Sequence, residues 1–285
     1  MKLELNVERQ TLRPGDVVEG EVELADYPKG VKVTVSLQGE EIVGANHLFR
    51  SYVLPLVEQV HTFTSSGERT QREPFRFQLP ERTPPSYASW DLRCQYFLKA
   101  RARPRILEEI NRLHLTVLPP EDPFPDSASA ELVVENDGIK LTGLLHASHL
   151  YTAESLRGEL VLEREQSESH LPDRISFRFA AIEESKVSDY RKVLWVQSHD
   201  IEPAPQAELP LNGYFEFPIE ETAPFSGEWS LFRVHYGFRV GLTPKGGGRE
   251  ERVSLPIQVY RAYEPLPEEP SKTGTGFSPS PQTEL

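Results

Sequence analysis

Two stretches of this chain, 140 residues apart, align without a gap. Phe75 and Phe77 fall on Phe215 and Phe217, Pro84 and Ser86 on Pro224 and Ser226, and Arg93 and Tyr96 on Arg233 and Tyr236. Further on, Leu113, Leu115 and Val117 fall on Val253, Leu255 and Ile257, and Trp90 lies within one residue of matching Trp229. Earlier, EGEVEL (Glu19–Leu24) resembles RGELVL (Arg157–Leu162) at a slightly different offset. Self-similarity at a fixed period means that one folding unit is used twice. Whatever the first half folds into, the second must fold into as well.

The unit itself is β. Leu3, Leu5 and Val7 alternate with polar residues; so do Val18, Gly20, Val22 and Leu24, and Val31, Val33, Val35 and Leu37. A period of two places one face of each segment in a core. Arg13-Pro14-Gly15-Asp16 carries the proline and glycine of a type II turn. Tyr52–Leu54, Val60–Phe63, PFRFQLP, RCQYFLKARAR and LHLTVLPP continue the pattern, with one short helical turn expected at Glu108–Arg112. Spread through the chain are 25 prolines and 18 glycines. About seven strands with turns every 8–12 residues read as a β-sandwich. After Pro119-Pro120-Glu121-Asp122-Pro123-Phe124-Pro125-Asp126 the strands resume as AELVVEN, IKLTGLLHA, LRGELVLER, RISFRFAAI, VLWVQSHDI, YFEFPI, LFRVHYGFRV and RVSLPIQVY. The expected organisation is a sandwich over 1–119, a proline-rich linker over 120–127, a second sandwich over 128–262 and a disordered tail over 263–285, rich in Pro, Ser, Thr, Gly and Glu.

The repeat decides how PPSY (Pro84–Tyr87) is read. By letters it is a PPxY ligand for WW domains. A docking peptide has no reason to recur in register, whereas a turn between strands does, and APFS (Ala223–Ser226) recurs there. Pro84–Tyr87 is therefore expected to be a structural turn held by Tyr87 or Trp90.

Charge separates the halves. Residues 1–120 carry 16 basic and 16 acidic side chains, and residues 121–285 carry 15 and 28. The second half should repel nucleic acid and anionic lipid, so no nucleic-acid partner is expected. No apolar run approaches the length of a membrane span. MKLELNVERQ does not read as a secretory leader, and a lone Cys94 forms no internal disulfide, which favours a cytoplasmic location.

Residues with site character are few. Lys99, Arg101, Arg103 and Arg105 sit at alternate positions, and Arg93 shares their parity. On a strand they form one cationic stripe suited to a phosphorylated or acidic peptide, opposite a buried face of Tyr96, Leu98, Ala100 and Ala102. The competing reading is an edge strand whose charges and Pro104 discourage pairing. The acidic stretch from Glu264 could lie on the stripe and mask it. His146 and His149 lack the partners of a metal site, and no metal or cofactor is expected. No nucleophile elbow, phosphate loop or HExxH is present; Gly246–Gly248 reads as a hairpin tip and Cys94 as buried and inert. Glu163–His170 reads as a solvated loop, with a partner contact as the alternative.

RPGDVVEGEVEL, then VKVTVSLQG, then PFRFQLPERTPPSY and LRCQYFLKARA together resemble an arrestin amino-terminal domain. The second half resembles an arrestin carboxy-terminal domain through the repeat and its position. The bacterial sporulation-control proteins, which share the PG-turn, are the nearest alternative branch. The resemblance implies two Ig-like sandwiches end to end, no catalysis, and an adaptor that binds cargo or protein tails. It also marks HLFRSY, with Leu48 and Phe49, as a loop contact. The chain departs from the family in lacking PPxY motifs and a clathrin-type box in its tail. A structural Ig-like module of an exported assembly, and a carbohydrate-active enzyme with two close carboxylates, are the alternative functions.

Overall fold

The structure, a computed structural model, describes residues 1–44, 51–104, 108–119, 128–166, 169–204 and 207–261. Arg105, Leu48, Phe49, the linker over 120–127 and the acidic tail lie outside the described residues.

The chain is all-β. The first half runs β1 (Lys2–Val7), β2 (Thr11–Leu12), β3 (Val17–Ala25), β4 (Lys32–Val43), β5 (Tyr52–Thr64), β6 (Thr70–Gln78), β7 (Tyr87–Ala88), β8 (Leu92–Ala102) and β9 (Glu109–Val117). The second runs β10 (Ala130–Asn136), β11 (Ile139–Leu145), β12 (His149–Tyr151), β13 (Ser155–Arg164), β14 (Arg174–Ser185), β15 (Arg191–Ile201), β16 (Leu211–Pro218), β17 (Gly227–Glu228), β18 (Phe232–Thr243) and β19 (Glu251–Tyr260). In the first half, a sheet β1-β3-β6 faces a sheet β2-β9-β8-β4-β5, with β7 on β8. In the second, β10-β11-β13-β16 faces β12-β19-β18-β14-β15, with β17 on β18. Each larger sheet is antiparallel except for one short parallel strand, β2 on β9 and β12 on β19.

The period-two reading holds at residue level. Val18, Val22 and Leu24 are buried beneath β3, and Val31, Val33, Val35 and Leu37 are buried along and just before β4. At the PG-turn, Gly15 has φ +84° and the Asp16 amide donates to the Arg13 carbonyl at 3.0 Å, the bond that closes such a turn. Gly246 and Gly247 have positive φ between the paired strands β18 and β19, as a hairpin tip requires.

Two expectations are corrected. Glu108–Arg112 forms no helical turn: β9 begins at Glu109 and pairs with β8, because neighbouring backbone donors and acceptors outcompete an isolated turn. And β8 is no edge strand. It lies between β4 and β9, ending at Ala102, before Pro104 would interrupt the ladder.

The duplication is visible in hydrogen bonds. Tyr96 donates its hydroxyl to the Pro84 carbonyl at 2.7 Å; Tyr236 donates to the Pro224 carbonyl at 2.6 Å. Ser86 Oγ accepts the Val117 amide and Ser226 Oγ the Val259 amide, both at 2.9 Å. PPSY is thus a turn fixed at both ends, and Tyr87 is buried. The sequence alignment needs two adjustments. Tyr96 faces Leu115 across the ladder and Tyr236 faces Ile257, so the last strand is shifted by two residues. An even shift keeps every side chain on its face, which is why the pattern alone did not expose it. The two tryptophans are not counterparts: Trp229 is buried, whereas Trp90 is 67% exposed.

Candidate functional site

Three places carry unusual chemistry: the junction between the sandwiches and the outer face of each larger sheet.

At the junction, Trp229, Phe232 and Val234 of the second half join the hydrophobic core of the first. Trp229 stacks on Phe232 at 4.7 Å between ring centres, lies 5.0 Å from Tyr87, and donates its indole N–H to the Pro85 carbonyl at 3.0 Å. Glu41 and Glu183 flank this contact and are both fully buried. They are repeat counterparts, since Glu41 faces Cys94 across the ladder and Glu183 faces Val234. Each reaches into the other sandwich. Glu41 accepts the amides of Ser230 at 3.1 Å and Leu231 at 2.7 Å, and Glu183 accepts the Ser89 hydroxyl. Burial raises the Glu183 carboxyl above its ordinary value, opposed by Ser89 and Lys192. Burial likewise pushes the Cys94 thiol up to about 12, which leaves it inert at neutral pH.

The outer face of the first large sheet holds the sequence-predicted stripe. Alternation along β8 puts Arg93, Lys99 and Arg101 outward and Cys94, Tyr96, Leu98, Ala100 and Ala102 inward. Arg103 follows the strand and is exposed. The face is filled at its centre: Phe97 also points outward, and the Arg112 guanidinium covers it 3.5 Å from the ring centre. That cation–π contact and Phe97's bulk fill the centre of a cationic surface.

The second large sheet differs at the same place. Phe97 pairs with Gln38 and His114; its counterpart Gly237 pairs with Ala180 and Pro256. A Cβ added at Gly237 would meet nothing within 4 Å. Small residues therefore open a hollow of about 600 Å³, within the range typical of ligand sites (roughly 300–1,000 Å³). Ala180, Gly237 and Pro256 form its floor, Ile182 and Val193 one side, and Arg178 and Arg239 the other. His235 also lines it, and burial holds its imidazole below the ordinary value, hence neutral near pH 7.

Arg178 and Arg239 are direct cross-strand partners. Like charges in that position repel and cost stability. Their neighbours are neutralised: Arg174 lies 3.7 Å from Asp200, Arg252 2.8 Å from Glu250, Arg191 3.7 Å from Glu184, and Arg233 pairs with Glu184. Among the described residues, Arg178 and Arg239 have no carboxylate partner; Arg239 reaches only the Ser254 hydroxyl, at 3.3 Å.

Sequence reasoning found the first stripe and missed this hollow. The available signal was the glycine standing where the repeat has phenylalanine, but the cross-strand meeting of Arg178 and Arg239 depends on register. Among the described residues no cluster of three metal-binding side chains occurs, and no helix is long and apolar enough to cross a membrane. In comparison with known proteins, no family model and no curated sequence matches this chain.

Proposed function

We propose that this chain is a non-catalytic, cytoplasmic adaptor of arrestin-like type, which binds protein or peptide partners on the outer faces of its two large sheets. The observation that carries the reading is the pairing, on both faces, of adjacent apolar side chains with cations that no carboxylate neutralises among the described residues. Lys99 and Arg101 lie near Ile110, which is 52% exposed, and Arg178 and Arg239 lie beside the hollow. The family resemblance of residues 1–119 supports the adaptor role by analogy. The side chains of the hollow suit recognition: guanidiniums, a neutral imidazole and an apolar floor, rather than the paired carboxylates of glycoside hydrolysis.

The test is affinity capture from the native cell with the wild-type chain and two face variants, Lys99→Glu/Arg101→Glu and Arg178→Glu/Arg239→Glu. A protein retained by the wild type and lost from either variant supports the reading. The same proteins retained by all three, or none by any, overturns it.

A second reading has its own observation. The edge strand β5 exposes Val53 and Val60, each more than half accessible, and such an edge invites pairing with another chain. A structural module of an assembly would then be expected. Concentration-dependent self-association in sedimentation, abolished by Val60→Lys, would favour it over the adaptor.

A further inference from the structure

The two halves provide an internal comparison, because one sheet face is seen twice with different side chains. In the first sandwich the central row reads Glu58, Gln38, Phe97, His114 across the ladder; in the second it reads Val196, Ala180, Gly237, Pro256. The next row reads Val60, Ser36, Lys99, Arg112 against Ser198, Arg178, Arg239, Ser254. The second face has lost volume at the centre, and where the first opposes Lys99 to Arg112 it opposes two guanidiniums, Arg178 and Arg239, beside the gap. Glycine weakens a strand interior and like charges across a ladder repel, so both features cost stability. In the first sandwich the Phe97 ring engages Arg112; among the described residues the second pair has the Ser254 hydroxyl, on Arg239.

We propose that the Arg178–Arg239 pair and the hollow over Gly237 form a binding site for an extended acidic peptide segment of a partner protein. The inference rests on the adaptor reading and names the partner chemistry of that face. A carboxylate placed between Arg178 and Arg239 removes their repulsion and accepts from both forks, the geometry at which arginine excels. A free phosphate would satisfy the two guanidiniums equally, but would leave the apolar floor of Ala180, Gly237 and Pro256 in water. A peptide covers both. Going from Arg178 to Ala180 along β14 advances two residues, about 7 Å at the strand rise of ~3.3 Å per residue. An extended ligand covers that distance with side chains at i and i+2, both on one face. The recognised sequence therefore carries an acidic and an apolar side chain two residues apart, in either order, the apolar side chain filling the volume that Phe97 fills in the first sandwich. The apolar flank of Ile182 and Val193 extends this preference to one further apolar position in the same direction.

Phage-displayed random 12-residue peptides are panned against the full chain, and the selected peptides are synthesised with a fluorescent label for anisotropy titration. Enrichment of acidic–x–apolar or apolar–x–acidic is expected. Affinity should fall at least tenfold in Arg178→Ala/Arg239→Ala and in Gly237→Phe, which closes the hollow, and remain within twofold in Arg76→Ala, an exposed cation of the smaller first sheet. Arg178→Gln, a surface change, carries the test if Gly237→Phe does not fold. Inorganic phosphate should compete only weakly, and vesicles of phosphatidylcholine and phosphatidylserine should not bind through these arginines. Selection of peptides without acidic residues, no enrichment, unchanged affinity in the Arg178 and Arg239 variants, or arginine-dependent vesicle binding without peptide binding overturns the proposal. Peptides that instead depend on Lys99 and Arg101 overturn this site and leave the adaptor reading standing. Peptide binding here with no face-dependent capture from cells does the reverse.

Discussion

Glu41 and Glu183 occupy equivalent positions and are not equivalent in chemistry. Glu41 has both carboxylate oxygens bound by amides of the other sandwich, whereas for Glu183 the corresponding partner is a hydroxyl, Ser89, on one oxygen. Removing Glu41 strips two donors of a charged acceptor, a loss of roughly 1.5–3 kcal/mol for each such hydrogen bond. Glu41→Ala should therefore lower the melting temperature and speed hydrogen exchange at Ser230 and Leu231, with exchange elsewhere in the second sandwich less affected. For Glu183 the sign runs the other way. Its folded pKa is raised above the ordinary value of 4.5, so between those two values the folded chain holds a proton that the unfolded chain gives up. The associated stability is fully present below 4.5 and is lost as pH rises through the folded pKa. Glu183→Gln keeps an acceptor for Ser89 and removes the buried charge. Its melting temperature should match the wild type at pH 4 and exceed it at pH 7.5. Melting curves across that pH range check it, and a constant offset at every pH would refute it.

At the scale of strands, the two central glycines Gly39 and Gly237 make opposite demands. A Cβ at Gly39 would come within 2.5 Å of the buried Tyr96 ring, at the point where the β4–β5 register shifts. At Gly237 there is open space. Gly39→Ala should cost about 1–3 kcal/mol by overpacking. Gly237→Ala should stabilise the strand by about 0.5–1 kcal/mol, the ordinary gain of alanine over glycine. Denaturant titration of both variants separates a glycine needed for packing from one that keeps a hollow open. In the sequence, the hint of the difference was Phe97 at the repeat position of Gly237. The alternation of Val31 to Leu37 was legible, because one buried face forces a period of two, and so was the parity of Lys99 and Arg101. The two-residue strands Thr11–Leu12, Tyr87–Ala88 and Gly227–Glu228 were not, being too short to show any period. The edge reading of β8 failed for a related reason: Pro104 lies two residues past the strand, and composition cannot say where pairing stops. Position in a sheet, cross-strand neighbours and the depth of a recess all follow from register, which is a property of several segments together.

For the whole molecule, duplication explains why the halves join where they do. The turn after Pro84 and the turn after Pro224 both lead into the central strand of a large sheet, and both face the other sandwich. In the first half the turn contributes Tyr87, and in the second Trp229, with Phe225 and Phe232 beside them. Because Trp229, Phe232 and Val234 of the second half lie in the first sandwich's core, and Leu194 packs against both cores, the two halves should unfold together. Wild-type protein is accordingly expected to melt in one calorimetric transition whose van't Hoff and calorimetric enthalpies agree. Trp229→Ala removes the stacked indole and its bond to Pro85, a change that typically costs about 3–5 kcal/mol in a core. Since that loss falls on the contact between the sandwiches, the calorimetric transition should split in two. A single, merely lowered transition in Trp229→Ala would mean that the junction is held by Glu41 and Glu183 rather than by the aromatic cluster. The double variant Glu41→Ala/Trp229→Ala would then be the one to uncouple the halves.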